Sequence, residues 1–424
     1  MILRYRFFRV FSNHGRKLSH YTPAGYSQLI STAEVKKFCI QCLEKVGAQS
    51  KHAKALSDVL VAGDYRGHYS HGLNRLGKYS NCTNSLFIQE MYVQDIQKGV
   101  CSTDLEPIIV KETVSTALVD GKNVLGPVVG NFAMETAINK ADKTGIAFVA
   151  AFGSNHFGIA GWYSLMAIQQ GLIGLAFTNT SPLVFPTRAR KLAVGTNPIT
   201  LAAPGKVPED HFVLDMATSA VALGKIEMSR RRGIEIPKGW GADTDGKTSV
   251  DPNLVVTKGG LMPLGGEEEN SGYKGYGLGM LVEILCGIIT DAAFGPNVRR
   301  WLSTDKPANL GQSFLAIDPK AFAPGFEQRL SEYVNIMRNL PPVDSQKPVV
   351  VPGDFEREHM TECDELGGIP YPPVLIESLV SLSNIKIIIT IIIIDSVYDV
   401  YWNNDSIKCD YYYCGGRTKS LQFF

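Results

Sequence analysis

Three observations predict an α/β fold whose sheet is not of the common dinucleotide-binding type. Between Val128 and Pro182 the chain alternates between helical and strand-like periodicity. The strand-like stretches are built from Gly, Ala, Ile and Phe without polar alternation, which requires a sheet covered on both faces. No G-x-G-x-x-G follows a strand, and no Walker loop, H-E-x-x-H helix or G-x-S-x-G elbow occurs, so any nucleotide site here must be built another way.

The elements follow in order. The first thirty-three residues carry Arg4, Arg6, Arg9, Arg16 and Lys17 with Phe7, Phe8 and Phe11, and no acidic residue. That composition fits either a mitochondrial presequence or a basic tail, and it lacks the uninterrupted apolar stretch of a secretory signal. Folded sequence is expected to begin at Ser31, because Ser31-Thr32-Ala33-Glu34 has the spacing of a capping box. Cys39 and Cys42 share a C-x-x-C spacing, but they sit among Val35, Phe38, Leu43 and Val46 at helical period and read as core. A second helix is expected over 52–61, running into the Gly-, His- and Arg-rich segment 62–72. Helices are then expected over 132–143 and 161–170, and strands over 146–151 and 172–177. The stretch 272–289 combines glycines, Lys274 and an apolar run, and reads as a loop entering a buried helix. Ile385–Ile394 is too short to span a bilayer and marks a strand or an aggregation-prone segment. From 395 onward the composition shifts to Tyr, Asn, Asp and Cys with little periodicity.

Composition narrows the function. A chain of 424 residues with 45% hydrophobic content can bury a large core, in two lobes around a cleft. Forty-two basic against forty-one acidic side chains leave a formal charge of +1, so no broad field gathers nucleic acid or an anionic membrane. A small molecule is the expected partner. Eight scattered cysteines do not form a disulfide framework, and no zinc-type spacing accompanies them, so no metal is expected.

Three clusters carry residue types suited to catalysis. In Ser70-His71-Gly72-Leu73-Asn74-Arg75, preceded by Asp64 and Arg66, the planar guanidinium of Arg75 can clamp a carboxylate while Ser70 or His71 bonds the neighbouring oxygen. The competing reading is a helix C-terminus with a charge network. In Gly153-Ser154-Asn155-His156-Phe157-Gly158, His156 follows a buried strand, where α/β sheets open onto their ligands, and imidazole can exchange a proton with a reacting oxygen. The third cluster is spread over Asn179-Thr180-Ser181-Pro182, Gly195-Thr196-Asn197-Pro198, Asp215 to Ser219 and Gly224-Lys225. Its amides and hydroxyls can hold a pyrophosphate and ribose, although each piece alone is ordinary turn chemistry.

Together these segments, with Ile236-Pro237, Gly239-Trp240 and Gly272-Tyr273-Lys274-Gly275-Tyr276-Gly277, resemble the type-2 malate/L-lactate dehydrogenase family, which also holds ureidoglycolate, sulfolactate and piperideine-2-carboxylate dehydrogenases or reductases. The resemblance runs from about 31 to 383. It implies a homodimer with a non-Rossmann cofactor domain, a mixed sheet flanked by helices, and a second domain of N-terminal helices and C-terminal segments. The expected division is 1–30 leader or tail, 31–127 helical substrate-side domain, 128–317 cofactor domain, 318–383 return to the first domain, and 384–424 an atypical tail without counterpart. By the same likeness His156 and His71 are catalytic, Ser70 and Arg75 hold substrate, and Thr180, Asn197, Asp215, Met216, Ala217, Lys225 and Lys274 hold NAD or NADP. The basic run Pro186-Thr187-Arg188-Ala189-Arg190-Lys191 replaces paired glycines found in many relatives; it suits a 2′-phosphate or a surface loop. The implied activity is hydride transfer between NAD(P) and a 2-hydroxy or 2-oxo acid, malate or lactate first, a cyclic imino acid or ureidoglycolate as alternatives. A noncatalytic dimeric scaffold is the competing class. The compartment is the mitochondrial matrix or the cytoplasm.

Overall fold

A computed structural model describes residues 11–12, 22–23, 25–76, 91–300, 303–377, 379, 407–413 and 417–423. Helix α1 (Thr32–Lys45) begins as its capping box requires: the Ser31 hydroxyl accepts the Glu34 N–H and donates to the Glu34 carboxylate at 2.8 Å. Folded structure nevertheless starts earlier than Ser31. Strand β2 (Gln28–Ile30) pairs with β1 (Phe11–Ser12) on one side and with β13 (Ile369–Tyr371) on the other, burying Leu29 and Ile30. A three-residue strand is too short to show a period, and its partner lies at the far end of the folded body.

Helix α2 (Ser50–Tyr65) packs on α1, and both share a core with α3 (Met91–Gln97), α10 (Asp354–Leu366) and β13. Cys39 lies in that core with its thiol pushed up by burial, and Cys42 packs against it. The N-terminal helices and the C-terminal segment thus close around one apolar cluster, from Ile30 and Phe38 to Tyr371 and Leu379.

The main sheet has seven strands in the order β3-β4-β5-β12-β6-β7-β8. These are β3 (Ile108–Glu112), β4 (Thr116–Asp120), β5 (Ile146–Ser154), β6 (Ile173–Thr178), β7 (Ile199–Ala203), β8 (Phe212–Met216) and β12 (Leu310–Ile317). Only β4 and β5 are parallel, and their crossover is α4 (Gly126–Thr144). The sheet is therefore mixed, and it reaches back to Ile108, twenty residues before the expected start of the cofactor domain at 128. Edge strand β3 carries the apolar run Ile108-Ile109-Val110 and yet is exposed.

Helices α4 and α5 (Gly161–Ile168) cover one face, packing Val129, Ala133 and Tyr163 on Val149, Ala176 and Phe314. On the other face Phe177 meets Val282 and Cys286 from α8 (Gly272–Glu283) and the π turn Ile284–Ile288 that continues it. Adjacent residues Ala176 and Phe177 enter opposite layers, as the two-residue strand period demands. The expected buried helix over 272–289 is only half buried. Tyr273, Met280, Leu281, Ile284, Ile288 and Ile289 are exposed, because an apolar run alone does not say which neighbour covers it.

Beside the sheet, α6 (Leu223–Arg232) and α7 (Pro252–Thr257) pack with a small sheet of β9 (Gly241–Ala242), β10 (Thr248–Ser249) and β11 (Gly260–Leu261). Helix α9 (Phe326–Arg338) leads to α10 through the ion pairs of Arg338 with Asp210 and Asp354. The expected strand at 385–394 lies outside the described residues, while β14 (Ile407–Tyr413) and β15 (Arg417–Phe423) form a hairpin. Among the described residues no helix is long and apolar enough to cross a membrane.

Candidate active site

The segment after α2 is forced into two tight turns by a buried carboxyl. Asp64 Oδ2 accepts the Leu73 N–H at 2.7 Å and the Tyr371 hydroxyl at 2.8 Å. Gly72 lies so close to Asp64 that a Cβ there would overlap the carboxyl, so no other residue fits. Burial pushes Asp64 up to about 7, against the pull of the Leu73 N–H and the Tyr371 hydroxyl. The turns present Ser70, His71 and Arg75 together: the Ser70 hydroxyl lies 2.9 Å from His71 Nδ1, and Arg75 Nε donates to the Ser70 carbonyl at 2.5 Å.

At the end of β5 a second segment is pinned from several directions. Asn155 Oδ1 accepts the His156 N–H at 2.9 Å, Asn155 Nδ2 donates to Asp95 at 3.1 Å, and the Asn155 carbonyl accepts Gln312 Nε2 at 2.9 Å. Asp95 is itself held by the guanidinium fork of Arg299, at 3.0 and 2.8 Å, both groups being buried. Gly158 takes φ +79° where a side chain would strike Val59. The ring of His156 receives the Tyr92 hydroxyl, 2.6 Å from Nδ1, and the Gly158 N–H at 3.2 Å.

The two segments meet. The His71 and His156 rings stack with centroids 5.6 Å apart and planes 19° from parallel. Enclosure first, then the nearby Arg75 charge, pushes His156 down to about 3. His71 is also held well below its ordinary value, by enclosure and then by His156 and Arg75. Both rings are therefore neutral at pH 7, in a half-buried pocket whose fixed positive charge is Arg75. Such an arrangement is chemically able to receive an anion at Arg75 and to exchange a proton with the group beside it.

Of the remaining sequence-predicted residues, Lys225 and Asp215 are tied to the neighbourhood of this pair, through Gly224 and Gly161. Gly224, at the first turn of α6, lies 3.4 Å from the Ser70 side chain measured from its would-be Cβ, which sets Lys225 on the adjoining exposed face. Glu227, one turn on, supports the Arg75 charge. Asp215 accepts the Gly161 N–H at 2.7 Å and so ties the end of β8, with Met216 and Ala217, to the start of α5. Burial raises its carboxyl, with Glu356 adding to it, while His68, the Gly161 N–H and Arg66 draw it down.

Asn197, buried and at φ +33°, has its amide committed within the fold. Its Oδ1 accepts the Thr180 N–H at 3.0 Å, and its Nδ2 donates to the Gly279 carbonyl and to Glu283, each at 2.9 Å. Glu283 also accepts Asn179 Nδ2 at 3.0 Å, so α8 and both polar loops share one carboxylate. Lys274 is exposed on the first turn of α8. The basic run is used locally: Arg188 forks onto Glu268 at 2.7 and 2.6 Å, and Arg190 pairs with Asp245 at 2.5 Å.

Sequence reasoning missed Tyr92, Asp95, Arg299, Glu227 and Glu283. Tyr92 and Asp95, three apart on α3, are the only ones with a legible spacing, and α3 is too short to show it.

Comparison with known proteins adds the decisive observation. A family model described as malate/L-lactate dehydrogenase matches residues 30–380. The chain belongs to the malate/L-lactate dehydrogenase family. Malate dehydrogenase of Pyrococcus abyssi is 41% identical over 309 residues, 72% of this chain and 81% of that protein. Malate/(S)-sulfolactate dehydrogenase of Methanothermus fervidus is 35% identical, covering 84% of this chain and 97% of that protein. The solved malate dehydrogenase of Pyrococcus horikoshii OT3 superposes with TM-score 0.75 at 33% identity, over 88% of this chain and 98% of that chain. More distant members carry other names: ureidoglycolate dehydrogenase (NAD(+)) of Escherichia coli K12 at 31% identity, over 73% of this chain and 83% of that protein, and (2R)-3-sulfolactate dehydrogenase (NADP(+)) of Chromohalobacter salexigens at 28%, over 83% and 97%. The solved delta1-piperideine-2-carboxylate reductase of Pseudomonas syringae superposes with TM-score 0.72 at 26% identity, over 84% of this chain and all of that one. The solved members share this chain's fold, which here has a mixed sheet and no G-x-G-x-x-G after a strand.

Proposed function

We propose that this member of the malate/L-lactate dehydrogenase family is an NAD(P)-dependent oxidoreductase acting on a small 2-hydroxy or 2-oxo acid, malate or lactate first. The observation that carries the reading is the convergence of His71, His156 and Arg75 from segments eighty residues apart in the chain. Arg75 holds the substrate carboxylate, with Ser70 beside it. His156 gives a proton to the carbonyl oxygen or takes it from the hydroxyl, and His71, stacked on it, keeps its plane fixed.

The polar loops of Thr180 and Gly195 and the start of α8 fit a nicotinamide dinucleotide. A Cβ at Gly195 would overlap the Thr180 hydroxyl and Asn197 Oδ1, so the backbone there is a cradle only glycine allows. Lys274 stands exposed on the first turn of a twelve-residue helix, where its ammonium favours a phosphate. Bound there, the cofactor supplies or accepts the hydride. Thr180, Asp215 to Ala217, Lys225 and Lys274 are its proposed contacts, and Asn197 holds the Thr180 loop rather than the ligand. The pairing of Arg188 and Arg190 with Glu268 and Asp245 supports the surface-loop reading of the basic run and leaves NAD and NADP both in play.

The exposed apolar stripe of Tyr273, Met280, Leu281, Ile284, Ile288 and Ile289 supports a homodimer, and sedimentation velocity measures it. The two shared cores support a substrate-side domain built from both chain ends around a separate cofactor domain. The acid-free N-terminal stretch suits the mitochondrial matrix and the cytoplasm equally, and a fluorescent fusion of residues 1–30 separates them. The test of function is a spectrophotometric screen of oxaloacetate, pyruvate, 2-oxoglutarate, ureidoglycolate and cyclic imino acids with NADH and NADPH. Turnover of the imino acids alone moves the assignment to the reductase branch. A folded protein that binds neither cofactor is a scaffold.

A further inference from the structure

The site contains a second proton next to the first. Tyr92 is buried on α3, its ring edge-on to His156 with centroids 5.7 Å apart, and its oxygen lies 2.6 Å from His156 Nδ1. The direction of that bond is fixed by a third group. The Gly158 amide, 3.2 Å from the same nitrogen, can only donate, so Nδ1 carries a lone pair and no proton. The Tyr92 hydroxyl must therefore donate as well, and the ring proton sits on Nε2.

A neutral imidazole in this tautomer has one proton to give, and giving it alone would leave an imidazolate. Enclosure is the larger cause of the low His156 basicity, and the Arg75 charge the smaller. A protonated ring is therefore not the ready source at neutral pH. We propose that Tyr92 is a proton-relay residue acting through His156, so that Nδ1 takes the phenol proton as Nε2 releases its own to the substrate oxygen. This rests on His156 being the group that exchanges the substrate proton.

The step balances. As the carbonyl carbon gains a hydride from the reduced nicotinamide, the C–O π bond breaks and the oxygen becomes an alkoxide, a far stronger base than a phenolate. The Nε2–H bond breaks and an O–H bond forms on the product; the Tyr92 O–H bond breaks and an Nδ1–H bond forms, leaving a phenolate. When product leaves, water returns a proton to Nε2 and Nδ1 returns its proton to Tyr92. In the reverse direction the same bonds form and break in the opposite order.

The surroundings suit a transient phenolate and a protonated resting state. Burial, with Asp95 adding to it, keeps the phenol protonated at rest. Arg75 and the Gly158 N–H, on other elements, favour the anion. The same helix sends Asp95 to Asn155, so α3 fixes the His156 loop and the relay donor as one unit.

Three measurements test this. Tyr92→Phe is expected to lower kcat about 100-fold, the low end of what a positioned acid contributes, with KM within about threefold of the parent. In single turnovers the parent should show a curved proton inventory in mixed H2O and D2O and Tyr92→Phe a linear one; identical inventories overturn the relay. In the ligand-free protein the ¹⁵N resonance of His156 Nδ1 should move in Tyr92→Phe toward that of an unbonded ring nitrogen, and an unmoved resonance overturns the donor assignment. Should Tyr92→Phe fold poorly, 3,5-difluorotyrosine at position 92 keeps the hydroxyl and lowers its pKa. Single-turnover reduction must then quicken, and an unchanged rate counts against the relay. Full turnover in His156→Ala would remove the underlying reading of His156, whereas an inactive His156→Ala beside a Tyr92→Phe within twofold of the parent would remove the relay alone.

Discussion

Two loops deliver the two histidines, and they are held in opposite ways. The loop of His71 hangs on one uncharged-leaning carboxyl: Asp64 is buried, pushed up to about 7, and bonded to a backbone amide and a phenol. The loop of His156 is held through full charges, Asp95 against the Arg299 fork, relayed by Asn155. A neutral acid costs little to bury and can be retained by neighbouring hydrogen bonds, whereas a buried charge needs its partner in place. The His71 loop should therefore be the softer, pH-sensitive one, and the His156 loop the rigid one that fails only when a partner is removed.

Four sets of substitutions probe this contrast between the loops. The largest effect is expected from His156→Ala, which should cut turnover by ~10²–10⁴ while cofactor affinity, read by nicotinamide fluorescence, stays near the parent. Unchanged turnover would place proton transfer elsewhere. Next comes Arg299→Ala, which strands Asp95 as a buried, unpaired charge; urea unfolding should show a loss of about 3–5 kcal/mol, and a loss under ~1 kcal/mol would mean that the fork is ornamental.

Smaller is Arg75→Ala. Losing a charge-assisted bond should raise KM for 2-oxo acids roughly tenfold to a hundredfold, corresponding to about 1.5–3 kcal/mol. Kinetic constants identical to the parent across an acid panel would end the clamp assignment. The same substitution should also let His156 protonate at higher pH, because the second cause of its low value is removed.

The mildest effect per pH unit separates the loops most directly. An Asp unfolds with a pKa of ~3.9, so between that value and about 7 the folded protein holds a proton that the unfolded chain has lost. The unfolded state binds fewer protons there, and the Asp64 contribution to stability falls as pH rises through this window, by no more than about 1.4 kcal/mol per unit. His156 has the opposite sign. Its unfolded ring protonates below about 6.5 while the folded ring waits until about 3, so its contribution falls as pH drops. Asp64→Asn should flatten the first slope and His156→Gln the second, in thermal melts from pH 4 to 7. Parallel curves for Asp64→Asn and the parent would show that the carboxyl does not titrate in that window.

Much of the fold is legible in short stretches of the chain. The Ser31 cap, the helices α4 and α5, and the strands β5 and β6 follow from local patterns, because capping and periodicity depend on residues within one or two turns. The glycines beside His71 and His156 are readable as signs of close approach. Strand β12 is not legible: it enters the middle of the sheet from 130 residues downstream, between two strands that its own residues do not name. Nor is the exposed flank of α8, since hydrophobicity records a preference for burial without recording what does the burying.

Within the site the division is the same. The chemical inventory is written in the chain alone: an imidazole at a strand end, a guanidinium five residues from a serine, and no glycine fingerprint for a dinucleotide. Ancestry is written there too, since ordered short motifs survive wherever backbone and ligand approach too closely for substitution. That the two rings stack, that Tyr92 points at one of them, and that Asn197 is spent on Glu283 are matters of three-dimensional packing. Those outcomes depend on groups separated by tens of residues and brought together by burial, and burial, unlike a turn or a cap, belongs to no single stretch of chain.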